Sequence, residues 1–257
     1  MIIDGKKVNI FWFRRDLRLH DNAGLFHALK DKNPVLPIFI FDTIILDKLE
    51  DKADSRVEFI HKALTEIHRQ LSFQKSSIQV FYGTPEKIFG ELLKTYSIDK
   101  VYTNHDYEPY AQSRDEAIRK LLNSKKISLH SYKDQVIFEK SEIVKDDASP
   151  YIVFTPYSRK WLATLNEFYI KPYPTEKYFS NLYKSKPSEI PTLKSMRFKK
   201  GNYELPTIDI PLKVLKKYKQ ERDFPGIDGT SRMGVHLRFG TISIRQLAKA
   251  CMGISET

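Results

Sequence analysis

Over its first 132 residues the chain alternates short apolar runs with amphipathic stretches, and this pattern limits the folds open to it. Val8–Phe13 (VNIFWF), Val35–Phe41 (VLPIFIF), Ile78–Tyr82, Val101–Asn104 and Ile127–Tyr132 are brief, rich in β-formers and apolar on both faces, as strands of a sheet covered on both sides should be. Between them lie segments of helical character. Ala23–Lys30 is short. Asp54–Gln74 repeats apolar residues at 3–4 spacing (Val57, Ile60, Ala63, Leu64, Ile67, Leu71) behind a capping Asp54 or Ser55. Thr84-Pro85 reads as a cap followed by a first-turn proline. Ala111–Leu122 closes the set. Strand–helix alternation implies a parallel sheet. Pro37 stands against its strand and predicts an irregularity there.

In open parallel sheets, ligands sit beyond the carboxyl ends of the strands where strand order reverses. Two such ends are dense in polar residues. Arg14-Arg15-Asp16-Leu17-Arg18-Leu19-His20-Asp21-Asn22 follows the first strand, and Asn104-His105-Asp106-Tyr107-Glu108 follows the fourth. If those strands are neighbours, both loops border one crevice. The competing reading is a salt network in which Arg14, Arg15 and Arg18 pair with Asp16 and Asp21 to tie the loop down. No G-x-G-x-x-G follows the first strand, and there is no G-x-x-x-x-G-K-[ST] and no H-E-x-x-H. Ordinary dinucleotide, P-loop and zincin chemistry are therefore disfavoured. The seven His are scattered, and no metal site is expected.

The balance shifts further along. Lys and Arg outnumber Asp and Glu 43 to 32, a net charge of +11 that points to polyanionic partners. The excess concentrates in residues 132–222, with 18 basic and 11 acidic side chains. Nine of the 13 prolines fall between Pro150 and Pro225. The expected organisation is thus an α/β domain over residues 1–132, a connector with short helices over 133–212, and the start of a further unit over 213–257. Helices are expected at Leu212–Glu221, Met233–Phe239 and Ser243–Ala250. Cys251 is the single cysteine, which excludes an internal disulfide. No apolar run approaches the length of a membrane span, so a cytoplasmic location and no membrane partner are expected.

Two segments carry a specific likeness. Val8–Asn22 (VNIFWFRRDLRLHDN) resembles the opening of the DNA photolyase/cryptochrome family, paired arginines and the D-L-R-x-x-D-N run included. Tyr218–Arg245 (YKQERDFPGIDGTSRMGVHLRFGTISIR) is similar to the first part of that family's flavin-binding region. Tyr107-Glu108 followed by Arg114-Asp115 adds to the likeness. The resemblance runs from Val8 to about Ala250 and is thin between 170 and 212. It implies a Rossmann-like five-stranded parallel sheet of order 3-2-1-4-5 with helices on both faces, followed by a linker and the start of an all-α FAD-binding domain.

The same resemblance implies FAD as cofactor, contacted by Tyr218 and by Thr230, Ser231, Arg232, Met233 and Gly234. It places Arg222 where the family meets DNA, and Glu108 where an acidic residue contacts the pterin of a folate (methenyltetrahydrofolate) antenna. Read alone, Gly229-Thr230-Ser231 looks like a helix start, whose hydroxyls either cap their own helix or help an anion bind. Gly234, Val235 and His236 depart from the family pattern. His236 is expected against or near the cofactor helix, with no proton-transfer role. Trp12 and Trp161 read as packing residues. The implied activity is blue-light repair of cyclobutane pyrimidine dimers in DNA by a monomeric deoxyribodipyrimidine photo-lyase, of the class I type. The alternative is a cryptochrome-type photoreceptor on the same scaffold. Because the family's helical domain continues further, this chain is expected to hold no catalytic residue and to be inactive in repair by itself.

Overall fold

The computed structural model describes residues 6–202, 204 and 207–255. Five strands, β1 (Lys7–Phe13), β2 (Val35–Asp42), β3 (Gln79–Gly83), β4 (Ser97–Asn104) and β5 (Ser128–Tyr132), form one sheet of order β3-β2-β1-β4-β5. All four pairings are parallel. Helices α1 (Ala23–Lys30), α2 (Thr43–Leu46), α3 (Ser55–Ser72), α4 (Pro85–Thr95) and α5 (Pro109–Asn123) connect them. This is the expected α/β class and strand order.

The sheet separates two apolar layers because successive side chains point to opposite faces. Phe11 and Phe13 of β1 join Phe39, Phe41, Leu64 and Leu71 on one side. Val8, Ile10 and Trp12 join Ile38, Phe89 and Val101 on the other. All of these are buried, which explains why the strands read as continuous apolar runs.

Local signals held in part. Asp54 caps α3, its carboxylate accepting from the Arg56 amide at 2.8 Å. Thr84 occupies the cap position of α4 but makes no side-chain cap bond, so Pro85 at the first position is the effective start signal. Pro37 causes no break. It lies opposite Phe11 within β2. Pairing of β2 with β3 begins only at Ile38, so no bond to β3 depends on the amide it lacks. The register irregularity falls instead between Val8 and Asn9, on the β4 side of β1.

Beyond β5 come α6 (Phe154–Thr164), α7 (Glu167–Ile170), α8 (Leu212–Glu221), α9 (Gly234–Phe239) and α10 (Ile244–Ser255), with two short 3-10 turns. A third apolar cluster of Ile137, Phe138, Ile143 and Ile170 packs against Trp161, Ile244 and Ala248. The connector returns to the sheet as well. Asn181 donates to the carbonyls of Leu29, Asp31 and Asn33 at 3.0, 2.8 and 3.1 Å.

Candidate functional site

The loop after β1 is tied by ion pairs, but not mainly by those its own sequence suggests. Arg18 donates to Asp134 Oδ2 at 2.7 Å and to the Gly240 carbonyl at 2.9 Å. Arg245 reaches Asp21 Oδ1 and Asp134 Oδ1, both at 2.8 Å, and the Ser243 hydroxyl donates to Asp21. Every charged member of this cluster is buried. Burial alone would raise the Asp134 carboxyl, but the charges of Arg18 and Arg245 hold it below its ordinary value. Asp16 answers to different neighbours. It accepts from the Arg14 amide at 2.7 Å and from Asn104 Nδ2 at 2.5 Å, yet burial leaves its carboxyl raised. None of the expected local pairs is an ion pair between side chains: Arg14 meets Asp16 through its backbone amide, and Arg18 donates to the backbone carbonyls of Asp21 and Asp16, both at 2.7 Å.

The two segments that carry the family likeness therefore hold each other. Leu17 N donates to the Phe239 carbonyl at 3.0 Å. Gly240 has φ +62°, and a Cβ there would lie 2.3 Å from the Arg15 carbonyl oxygen. Only glycine permits both the conformation and the approach.

Next to this junction, beyond the carboxyl ends of β1, β2 and β4, lies a cleft of about 230 Å³. Trp12, Phe39, Phe41 and Tyr110 give it apolar and aromatic walls, and Phe239 closes one side. Trp12 is fixed edge-on to Phe89 at 5.1 Å, with the guanidiniums of Arg14 and Arg114 about 5 Å from its ring centre. Arg14 and Arg114 share the Asp115 carboxylate. The Tyr110 hydroxyl donates to Asp42 Oδ2 at 2.6 Å. Glu108 stands at the rim, half-exposed, and its Oε1 accepts from Arg15 Nη1 at 2.9 Å and Arg238 Nη1 at 2.5 Å. The Arg238 bond, supported by Arg15, holds the Glu108 carboxyl below its ordinary value. The crevice expected between the first and fourth strands exists. Sequence reasoning found Glu108 in it but missed Tyr110, Asp42 and Arg238, which only tertiary packing brings to one place.

The expected nucleotide-binding residues lie elsewhere. Arg222 ends α8 and stacks over Tyr218, Cζ 5.5 Å from the ring centre, so the i,i+4 spacing did place both on one face. Gly229 packs so closely on Glu221 that a Cβ would sit 2.7 Å from the Glu221 Cβ. This brings residues 229–234 to the end of α8. Gly229-Thr230-Ser231 is not a helix start: α9 begins at Gly234 with Met233 as its cap residue. Arg232 interrupts the approach with φ +51°. Ser231 Oγ accepts from the Met233 amide at 3.4 Å. Thr230, Arg232 and Gly234 are exposed, and nothing lies within 4 Å of the Gly234 Cβ position. Thr230 offers an exposed hydroxyl and Gly234 open backbone, and the Arg232 guanidinium is exposed while paired with Asp228 at 3.0 Å, a donor set whose chemistry fits the pyrophosphate of FAD. Met233 is buried and contributes packing. His236 is buried against Phe59 of α3, with Nδ1 2.7 Å from Thr241 Oγ1. Among the described residues no cluster of side chains could hold a metal ion, and no helix is long and apolar enough to cross a membrane.

Comparison with known proteins gives a consistent result. An uncharacterised 31.6 kDa protein of Synechococcus sp. (strain PCC 6716) is 29% identical over 251 residues, which cover 93% of this chain and 87% of that protein. A deoxyribodipyrimidine photo-lyase of Synechococcus sp. (strain ATCC 27144 / PCC 6301) is 28% identical over 257 residues, 94% of this chain and 53% of the relative. The chain spans about half the length of the photo-lyases it matches. The crystal structure of an archaeal photolyase from Sulfolobus tokodaii, described with two FAD molecules and a novel light-harvesting cofactor, superposes with a TM-score of 0.72 at 27% identity, covering 95% of this chain and 55% of that one. The DNA photolyase family model matches residues 9–177. With that match covering more than half of its length, on a sheet of the expected order, the chain belongs to the DNA photolyase family.

Proposed function

We propose that the protein containing this chain is an FAD-dependent, blue-light-driven deoxyribodipyrimidine photo-lyase that repairs cyclobutane pyrimidine dimers in DNA. The observation that carries the reading is the mutual docking of the two family segments, which completes an aromatic-walled cleft, together with the exposure of Thr230, Arg232 and Gly234. In this reading the cleft takes a light-harvesting chromophore of the folate class, with Glu108 at the edge of its ring. Residues 230–234 and Tyr218 contact FAD. The three-part organisation of residues 1–132, 133–212 and 213–257 belongs to the same proposal, as do a monomeric state and a cytoplasmic location.

Bound FAD supplies the electron chemistry on a dimer turned out of the duplex. This chain's own residues bind and orient. The exposed face of α8 carries Lys213, Lys216, Lys217 and Lys219 beside Arg222, a stripe suited to phosphates. The decisive test is light-dependent loss of thymine dimers from irradiated DNA. A polypeptide including the full helical half should be yellow and active under blue light only, whereas residues 1–257 alone should leave the dimers intact. Repair by 1–257 alone, or a colourless longer protein, would overturn the reading. Replacing Lys216 and Lys217 by Ala should reduce the slope of log affinity against log salt by roughly two, since each phosphate contact contributes about one.

A further inference from the structure

Glu108 is not a lone carboxylate at the rim of the cleft. Both of its side-chain bonds fall on Oε1, one from Arg15 on the β1 loop and one from Arg238 on α9. Among the described residues, Oε2 accepts nothing. Arg15 is itself held from two sides, by Asp106 at 3.2 Å and through its Nε by the Arg238 carbonyl at 3.1 Å. Arg238 and Phe239, both of which line the cleft, arrive with the segment locked in place by Gly240 and the buried cluster of Arg18, Asp134, Arg245 and Asp21. The cleft is therefore incomplete until residues 238–245 have docked on the sheet.

We propose that Arg238 is a positioning residue for the cleft ligand: together with Arg15 it anchors one oxygen of Glu108 and presents the other, ionised, to a planar heterocycle carrying N–H donors on its edge. The proposal rests on the reading of the cleft as a chromophore site and adds its consequence. An ionised acceptor fixed in advance gives a strong, directional hydrogen bond without the cost of ordering the side chain on binding. Because Arg238 belongs to the segment next to the 229–234 stretch, occupancy of the cleft and docking of that segment reinforce each other. A ligand that binds only the docked state stabilises it by the same free energy that docking contributes to binding.

Two fluorescent probes test this on the intact chain: methenyltetrahydrofolate and FMN, both planar heterocycles with edge donors. Arg238→Ala should weaken binding of whichever probe the wild type takes by roughly tenfold, the scale of one charge-assisted hydrogen bond, and Arg238→Lys should recover part of the loss. The pH profile separates positioning from bulk structure. Binding by wild-type protein should fail only well into the acid range, because Arg238 favours the ionised carboxylate. In Arg238→Ala the failure should begin at higher pH. In Glu108→Gln that acid limb should disappear. Hydrogen exchange supplies a readout independent of affinity: the probe should slow exchange at residues 236–245 in the wild type and not in Arg238→Ala. Should Arg238→Ala prove poorly folded, Arg238→Gln gives the same comparison with chain length retained. Equal affinity and an unchanged pH profile in the Arg238 variants would overturn the proposal while leaving the cleft reading intact. Failure of the wild type to bind either probe would overturn the cleft reading itself.

Discussion

Asn9 sits in β1 between Val8 and Ile10, wholly buried, and among the described residues neither its Nδ2 nor its Oδ1 has a hydrogen-bond partner. A buried amide without partners forfeits its hydration with no return. Asn9→Val makes the position apolar, suits a strand and adds little volume. It should raise stability by about 1 kcal/mol, read as a higher urea midpoint with an unchanged slope. A loss of similar size would show that an ordered water completes the amide. The β1 loop teaches the complementary lesson. Its arginines and aspartates were legible as a network, but their partners were not. Arg18 pairs with Asp134 and Asp21 with Arg245, more than a hundred residues away in each case. Spacing along the chain favours near neighbours, whereas burial selects whichever partner the fold delivers.

The strands and the long α3 were readable as elements because burial on both faces leaves a pattern that local propensity supports. The short elements were less so. α2 went unpredicted at four residues, too few to show a period. α9 starts at Gly234, one residue from the expected Met233, and Gly229-Thr230-Ser231 does not open it, because Arg232 takes a left-handed conformation in between. At this scale Gly240 is the critical position. Gly240→Ala combines an unfavourable φ with a contact no Cβ can make. It should cost about 1–3 kcal/mol from the backbone conformation alone, with the clash added. The loss should concentrate in α9 and α10. Limited proteolysis should show faster cleavage in the exposed 222–228 stretch, with β1–β5 still protected.

Across the whole molecule, the cluster of Arg18, Asp134, Arg245 and Asp21 joins the sheet, the segment after β5 and α10. Asp134→Asn removes the carboxylate that both arginines share and should destabilise the fold by about 3–5 kcal/mol near neutral pH. The folded-state carboxyl of Asp134 lies below its ordinary value of 3.8, so its contribution is present above that pH and is lost as pH falls through the folded value. The gap between wild type and variant in urea midpoint should therefore be constant near neutrality and close below about pH 4. The region after β5 also leaves large apolar side chains uncovered: Ile152, Phe154 and Phe168 are 89%, 78% and 79% exposed, and Val153 and Leu162 are exposed as well. The sequence marked this region only as a proline-rich, basic connector, since exposure of individual side chains is not a property of composition.

What the sequence determined by itself was the alternation that forces a parallel sheet, the polar strand ends that border a crevice, and the two segments that mark the family. These rest on local pattern: periodicity, turn chemistry and residue type. Tertiary structure alone decided that the two segments grip each other, that Glu108 is held between Arg15 and Arg238, and that Thr230 and Ser231 lie ahead of a helix rather than at its start. Each of these depends on groups far apart in the chain meeting in a buried or half-buried place. There, desolvation makes the choice of partner costly to get wrong, and no spacing rule encodes it.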